Sequence, residues 1–129
     1  MTINGTNVKI KKIEKNNAYC VVAEGDNIII SDTQSALDLL MTAGYETGIK
    51  NIAVAKERID EKFFVLSSGL AGEILQEFIN YGGRIAIYGD FSRHISKPLR
   101  SFIDECNHGS DVFFVSTKDE AIDMLTRQF

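Results

Sequence analysis

The sequence has no tryptophan, one proline, two cysteines and two histidines. Two cysteines cannot build a disulfide scaffold, and with two histidines at scattered positions they do not make a structural zinc site. A single proline excludes a long proline-rich linker. Apolar runs such as residues 19–23 are far shorter than the roughly 20 residues that a membrane-spanning helix needs. These shortages exclude a disulfide scaffold, a structural zinc site and a membrane-spanning helix.

The residues that are present have the composition of a globular domain. Of 129 residues, 44% are hydrophobic and 25% are charged, which excludes wholesale disorder and predicts one domain over residues 1–129. The formal net charge of −4 argues against nucleic acid as a partner. The N terminus, MTINGTNVKIKK, has no apolar stretch after its charged residues, so we expect no secretory signal. The short apolar runs predict no membrane partner, and the two cysteines favour a reducing, cytoplasmic location.

The first third of the chain predicts strands. Val8 and Ile10 alternate with lysines in the period-2 pattern of a half-buried strand. The Asn-Asn pair at residues 16–17 suits a turn, because asparagine tolerates a positive φ. The apolar residues 19–23 and 28–30 follow, and their spacing predicts a hairpin or a meander.

Beyond these strands, helical periodicity alternates with short apolar runs. A first helix is predicted to begin at Ser31 or Asp32 and to end near Gly44. The later predicted elements are a strand over residues 51–55, a helix over 69–81, a strand over 84–89, a helix from Ser96, a strand over 112–115 and a helix capped by Thr117. This alternation predicts an α/β fold with a mixed sheet of about five strands and four main helices.

Function in such a fold is expected where the parallel strands end, because ligands and partners gather outside the carboxyl ends of the strands. The predicted segments at that edge are residues 31–32, 56–68, 90–96 and 116–117. Each precedes a helix, whose unpaired N–H groups favour anions. Helix capping explains the polar residues of the first and last segments. The two middle segments are longer and contain more kinds of polar and charged side chain.

Residues 65–73, Val-Leu-Ser-Ser-Gly-Leu-Ala-Gly-Glu, are the most informative part of this edge. Ser67 and Ser68 stand at a predicted helix start, directly before Gly69. One interpretation is a serine N-cap followed by glycines that allow close packing of helix on sheet. The other is a phosphate or phosphoserine site, where about −1.5 to −2 charges would reverse the sign of a docking surface. The residues alone leave both interpretations open.

A second group of chemically active side chains follows the strand at residues 84–89. It consists of Asp90, Phe91, Ser92, Arg93 and His94. The group lacks the spacing of a nucleophile and its base. We interpret it as the rim of the same binding edge, with a solvated loop as the alternative.

The remaining motifs predict no catalytic residue, metal or cofactor. Cys106 and His108 are nearly adjacent, whereas the partners of a Cys-His pair are usually distant in sequence, and Cys106 falls on the apolar stripe of its helix. The sequence contains neither a GxGxxG pattern nor a P-loop, so nucleotide use has no support.

The order of the predicted elements, with the Ser-Ser-Gly-Leu segment, resembles the STAS fold of anti-sigma-factor antagonists. In that family an Asp-Ser-Ser-Gly-Leu segment opens the second helix, and a partner kinase phosphorylates the first of its serines. The resemblance covers residues 8–125 as a pattern and implies that Ser67 is the phosphorylated residue and that a kinase-like regulator is a partner. Leu66 stands where those antagonists carry aspartate.

The stretch FFVLSSGLAGEILQEFINYGGRIAIYGDFS resembles more closely a bacterial family catalogued as domain of unknown function 4180, which brings no activity with it. We therefore expect a non-enzymatic regulatory module that binds a protein partner and needs no cofactor. Its expected binding edge comprises Ser67, Ser68, Gly69, Asp90, Phe91, Ser92, Arg93 and His94. The alternative is a small anionic-ligand-binding protein or enzyme that uses the same helix N termini. The residues leave the oligomeric state open.

Overall fold

The computed structural model describes residues 2–93 and 95–127. These residues form the strands β1 (Thr2–Ile3), β2 (Thr6–Asn7), β3 (Lys9–Lys15), β4 (Ala18–Glu24), β5 (Asn51–Ala55), β6 (Arg84–Tyr88) and β7 (Val112–Val115). They also form the helices α1 (Thr33–Thr47), α2 (Leu70–Asn80), α3 (Lys97–Asn107) and α4 (Lys118–Thr126). Within this described part of the chain, no helix has the length and apolar character that crossing a bilayer requires.

Five of the strands form one mixed sheet in the order β3-β4-β5-β6-β7. β3 is antiparallel to β4, and all later neighbours are parallel. β1 and β2 make a separate antiparallel pair. The predicted α/β class, with a mixed five-stranded sheet and four helices, is therefore confirmed.

The sheet separates two apolar cores. Consecutive parallel strands are neighbours, so each crossover steps the same way, and right-handed crossovers then place α1, α2 and α3 on one face. Ile52 and Val54 point into that larger core, whereas Ala53 between them faces the other side. There α4 covers the sheet with Ala121 and Leu125.

The predicted turn between the first two sheet strands is confirmed. β3 and β4 pair with Lys15 opposite Ala18, which leaves two residues to reverse the chain. Those residues, Asn16 and Asn17, have φ angles of 57° and 61°. A two-residue turn of this kind needs positive φ at both positions, and asparagine meets that need at low cost.

Three of the predicted helix caps are present. Asp32, Ser96 and Thr117 each accept, through a side-chain oxygen, the backbone N–H of the residue three positions later. The first helix therefore starts after Asp32 rather than after Ser31. These caps fix the directions in which α1, α3 and α4 leave the carboxyl edge of the sheet.

The predicted strand over residues 28–30 is wrong. Ile29 and Ile30 are fully buried, but Ile30 makes only an isolated parallel bridge with Ile59. Both isoleucine N–H groups instead donate to the Arg58 carbonyl, at 2.7 and 3.1 Å. The run cannot pair beside β4, because β3 and β5 already occupy both edges of that strand.

The predicted end of the first helix at Gly44 is also wrong. α1 continues to Thr47, and Gly48, with a φ of 75°, adopts the left-handed conformation that ends it. Gly44 lies inside the helix, where the Lys50 side chain packs over it. A Cβ at Gly44 would lie 3.0 Å from Lys50 Cε, so the glycine serves close approach rather than helix termination.

Glu24, the last residue of β4, joins two other elements at the carboxyl edge. Its carboxylate oxygens lie 2.8 Å from Lys118 Nζ and 2.9 Å from Lys11 Nζ. Hydrogen bonds from Lys118 and then Lys11 lower the pKa of Glu24 from 4.5 to about 2. Because the folded pKa lies below the unfolded one, this stabilisation is complete above pH 4.5 and is lost as the pH falls towards about 2.

Glu24→Gln should lower the free energy of unfolding by about 1 kcal/mol at neutral pH, the upper range for exposed ion pairs. The deficit should shrink as the pH falls through that window, because protonation then removes the same charge from the wild type. Denaturant unfolding at several pH values measures it. Glu46→Gln is the control, since Glu46 is exposed and forms no ion pair with a described residue. A deficit that is independent of pH would contradict the assignment.

Candidate functional site

The carboxyl ends of β5 and β6 open onto two segments, residues 56–68 and 89–96. The first segment consists of three short 3-10 turns, at Lys56–Arg58, Glu61–Phe64 and Leu66–Ser68. The Asp60 carboxylate begins the second turn by accepting the N–H of Lys62 at 2.9 Å. The sequence predicted this segment only as a long connection, because turns of three or four residues have no usable periodicity.

Phenylalanine rings anchor both segments to the larger core. Phe63 is 1% exposed, and its ring centroid lies 5.0 Å from that of Phe64. Phe91 is also buried. Its ring centroid lies 6.0 Å from that of Phe64 and 5.5 Å from that of Phe114 of β7. Such ring pairs each contribute about 0.5–1.5 kcal/mol beyond their burial. The exposed side chains of the two segments are therefore held in place by the packed phenylalanine rings beneath them.

The Lys56 side chain ties the two segments together. Its ammonium donates to the Asp90 carbonyl at 2.6 Å and lies 5.0 Å from the ring centroid of Phe91 and 5.9 Å from that of Phe64. Gly89 leaves room for it, since a Cβ there would lie 2.7 Å from Lys56 Cβ. Lys56 fell within the predicted edge segment 56–68 and Gly89 within the predicted strand 84–89, but neither was predicted as a binding residue, although a glycine at the end of a buried strand can signal a close approach.

Gly89→Ala should destabilise the protein by about 1 kcal/mol, because the new methyl group would push on Lys56 close to its backbone. Gly72→Ala is the matched control: a Cβ there meets open space on α2, so alanine should stabilise by about 0.5–1 kcal/mol through its helix propensity. Thermal or denaturant unfolding measures both variants. Effects of the same sign in both would refute the proposed close contact.

The turn after β6 is held by its own polar groups. The Asp90 carboxylate accepts the hydroxyl and the backbone N–H of Ser92, and these bonds lower the pKa of Asp90. Arg100 of α3 donates to the Phe91 carbonyl at 2.8 Å. Arg93 is exposed. His94, which was also predicted at this edge, lies outside the described residues.

The two serines of the Ser-Ser-Gly-Leu segment have different surroundings. The Ser68 hydroxyl donates to the Lys62 carbonyl at 2.7 Å and accepts the N–H of Leu70 at 3.2 Å. Ser68 therefore stabilises the local backbone at the start of α2. Gly69, with a φ of 77°, is the N-cap residue of α2, so neither serine occupies that position. Ser67 is exposed, and its hydroxyl makes no hydrogen bond to a described residue.

Of the described residues predicted to bind, Ser67, Asp90, Phe91 and Ser92 line two clefts, whereas Ser68, Gly69 and Arg93 line neither of them. We call the larger one, of about 590 Å³, the Lys56 cleft. It is lined by Lys56, Glu61, Phe64, Val65, Leu66, Ser67, Ile95, Ser96, Pro98 and Leu99. Asp90, Phe91 and Ser92 line a second cleft of about 370 Å³, which runs along α3 towards Asn107. Lys56 and its bond to Asp90 lie between the two groups of predicted residues.

The cysteines have the environment of packing residues. Cys20 is fully buried, and burial raises its pKa to about 11. Burial also raises the pKa of Cys106, which packs partly against the larger core. The His108 ring nitrogen Nδ1 lies 2.6 Å from the Asp104 carbonyl. A thiol with a raised pKa is a poor nucleophile, so this geometry gives no support to a Cys-His pair.

Residues 15–125 match the model of the family described as Domain of unknown function (DUF4180), and the chain belongs to that family. This confirms the family resemblance carried by residues 63–92. No curated protein and no solved structure matches the chain.

Proposed function

We propose that the protein is a non-enzymatic regulatory module that binds a protein partner through the surface formed by Ser67, Ser68, Gly69 and the turn at residues 90–93. The observation that carries the proposal is the Ser67 hydroxyl, which is exposed beside a cleft and has no partner among the described residues. Binding residues concentrate on loops that a rigid scaffold positions. Buried phenylalanines hold the two segments that carry this surface. The likeness to STAS-fold antagonists supports the same surface.

We further propose that Ser67, rather than Ser68, is phosphorylated by a kinase-like regulator. Phosphorylation of Ser68 would remove the proton that its hydroxyl donates to the Lys62 carbonyl, whereas Ser67 has no such bond to lose among the described residues. A phosphoryl group on Ser67 would add about −1.5 to −2 charges beside the Lys56 cleft. Intact-mass measurement of protein from its native host tests this, and an unmodified chain under every growth condition would remove it.

Anion binding at the helix N termini is supported less well. Asp32, Ser96 and Thr117 already accept N–H groups of three first turns, and Ser68 accepts that of Leu70. Pro98, in the first turn of α3, has no N–H to offer. Each of the four helix starts has therefore already engaged one of the N–H donors that an anion would need.

The partner proposal is tested by co-purification from the native host with wild-type protein and Ser67→Asp. We expect the added charge to weaken partner recovery, because it alters the proposed docking surface directly. Ser110→Asp is the control, since Ser110 is equally exposed but lies before the opposite, amino end of β7.

We also propose a cytoplasmic location, in keeping with two free cysteines.

A further inference from the structure

Among the residues that the structure describes, one positive and one negative side chain line the Lys56 cleft without pairing with each other. Lys56 is half-buried and Glu61 is exposed, and both contribute to the cleft wall. Neither forms an ion pair with any residue in the ranges 2–93 and 95–127. Opposite charges that share a cleft but remain apart suit a ligand that carries both charges itself.

The rest of the cleft wall is mainly apolar. Phe64, Val65, Leu66, Ile95, Pro98 and Leu99 supply it. Val65 is 53% exposed, although valine is usually buried. The volume of about 590 Å³ lies within the range of about 300–1,000 Å³ that small-molecule sites occupy. The cleft therefore offers an apolar surface to a side group as well as two charges.

Lys56 is positioned to receive a carboxylate. One of its three ammonium protons goes to the Asp90 carbonyl, and the Phe91 ring lies 5.0 Å away. These contacts fix the side chain before any ligand arrives, so little conformational entropy is lost on binding. The other ammonium protons have no hydrogen-bond acceptor among the described residues, and the Ser67 hydroxyl on the same cleft is a further donor without a partner among them.

We propose that the Lys56 cleft binds a small zwitterion of the amino-acid class that carries a bulky apolar side chain. Lys56 and Ser67 take the carboxylate, Glu61 takes the ammonium group, and the apolar wall takes the side chain. The proposal does not rest on the protein partner. Its test uses the purified 129-residue chain alone, so its failure and the failure of the partner proposal are distinguishable.

The test is calorimetric titration with L-phenylalanine and L-leucine, and with two analogues that each lack one charge. 3-Phenylpropanoate keeps the carboxylate and phenethylamine keeps the ammonium group. We expect saturable binding of at least one amino acid, and binding of both single-charge analogues at least about tenfold weaker, because each leaves one charged group of the cleft unpaired. No saturable binding of either amino acid, or equal binding of 3-phenylpropanoate and phenylalanine, would overturn the proposal.

Variants then assign the charges to residues. Glu61→Gln should weaken amino-acid binding about tenfold and leave 3-phenylpropanoate unchanged, whereas Lys56→Gln should weaken both. Glu73→Gln is the control, because Glu73 is exposed on α2 and does not line the cleft. Glu61 is exposed, so its substitution should leave the fold intact even if Lys56→Gln destabilises it. Unchanged amino-acid affinity in Glu61→Gln would overturn the proposed recognition.

Discussion

Phe63→Ala should destabilise the protein by about 3–5 kcal/mol, the range for truncating a buried phenylalanine. Phe63 is 1% exposed and belongs to the second 3-10 turn. Its ring meets those of Phe64 at 5.0 Å and Phe114 at 6.4 Å, so its loss would leave a cavity beneath the candidate site. The segment at residues 56–68 has little regular structure of its own, and this side chain supplies much of its attachment to the core.

Denaturant unfolding measures the effect, and Val65→Ala provides the control. Val65 lies two residues away on the same segment but is 53% exposed, so its truncation should change stability by less than about 0.5 kcal/mol. If Phe63→Ala were as mild as Val65→Ala, the segment would not be anchored as the structure describes. The binding surface would then lack the rigid base that we propose for it.

Asn107→Ala should cost about 2 kcal/mol for a different reason. The Asn107 side chain lies beside the free edge of β7, where its amide donates to the Phe114 carbonyl at 3.0 Å and accepts the Phe114 N–H at 2.8 Å. It thereby replaces the neighbouring strand that an edge lacks. Alanine would leave both Phe114 backbone groups without these partners, on a residue that is 4% exposed.

Hydrogen exchange of the Phe114 amide, together with denaturant unfolding, measures this loss. Asn80→Ala is the matched control, because Asn80 also ends a helix but its side chain, among the described residues, bonds only to Gln76 on the exposed face of α2. We expect faster exchange at Phe114 in Asn107→Ala and little change in Asn80→Ala. Equal stability of the two variants would contradict the proposed edge protection.

Elements whose signals are local were predictable from the sequence. The strands at β5 and β7 are short apolar runs, and the predicted bounds 51–55 and 112–115 match the structure. Ser96 and Thr117 have side chains that satisfy helix N–H groups within one turn, so the starts of α3 and α4 were also predictable.

Features that depend on distant partners were not predictable. Ile29 and Ile30 have the apolar character of a strand, but strand pairing depends on which edges of the sheet are free. Gly44 has the character of a helix stop, but α1 continues through it to Thr47 and ends at Gly48, with the Lys50 side chain packed over Gly44. Local sequence preference alone therefore did not determine either element.

The candidate site also has a part that local sequence patterns predicted and a part that depends on contacts between distant residues. The Ser67–Gly69 segment was identified because hydroxyls and glycine at a helix start form a local pattern. The distinction between an engaged Ser68 and an exposed Ser67 depends on the Lys62 carbonyl, six residues away. Lys56 and Glu61 lay within the predicted edge segment 56–68 but were not predicted as binding residues, because no sequence spacing shows that they border one cleft with Ile95, Ser96, Pro98 and Leu99.

Quantitative co-purification from the native host tests the central claim, the docking of a partner at Ser67, most directly. Protein recovered with Ser67→Asp is compared with that recovered by wild type and by Ser110→Asp. The account predicts a partner whose recovery falls at least about tenfold with Ser67→Asp and stays at the wild-type level with Ser110→Asp. Recovery that is the same for all three chains, or no protein recovered by wild type, would contradict it.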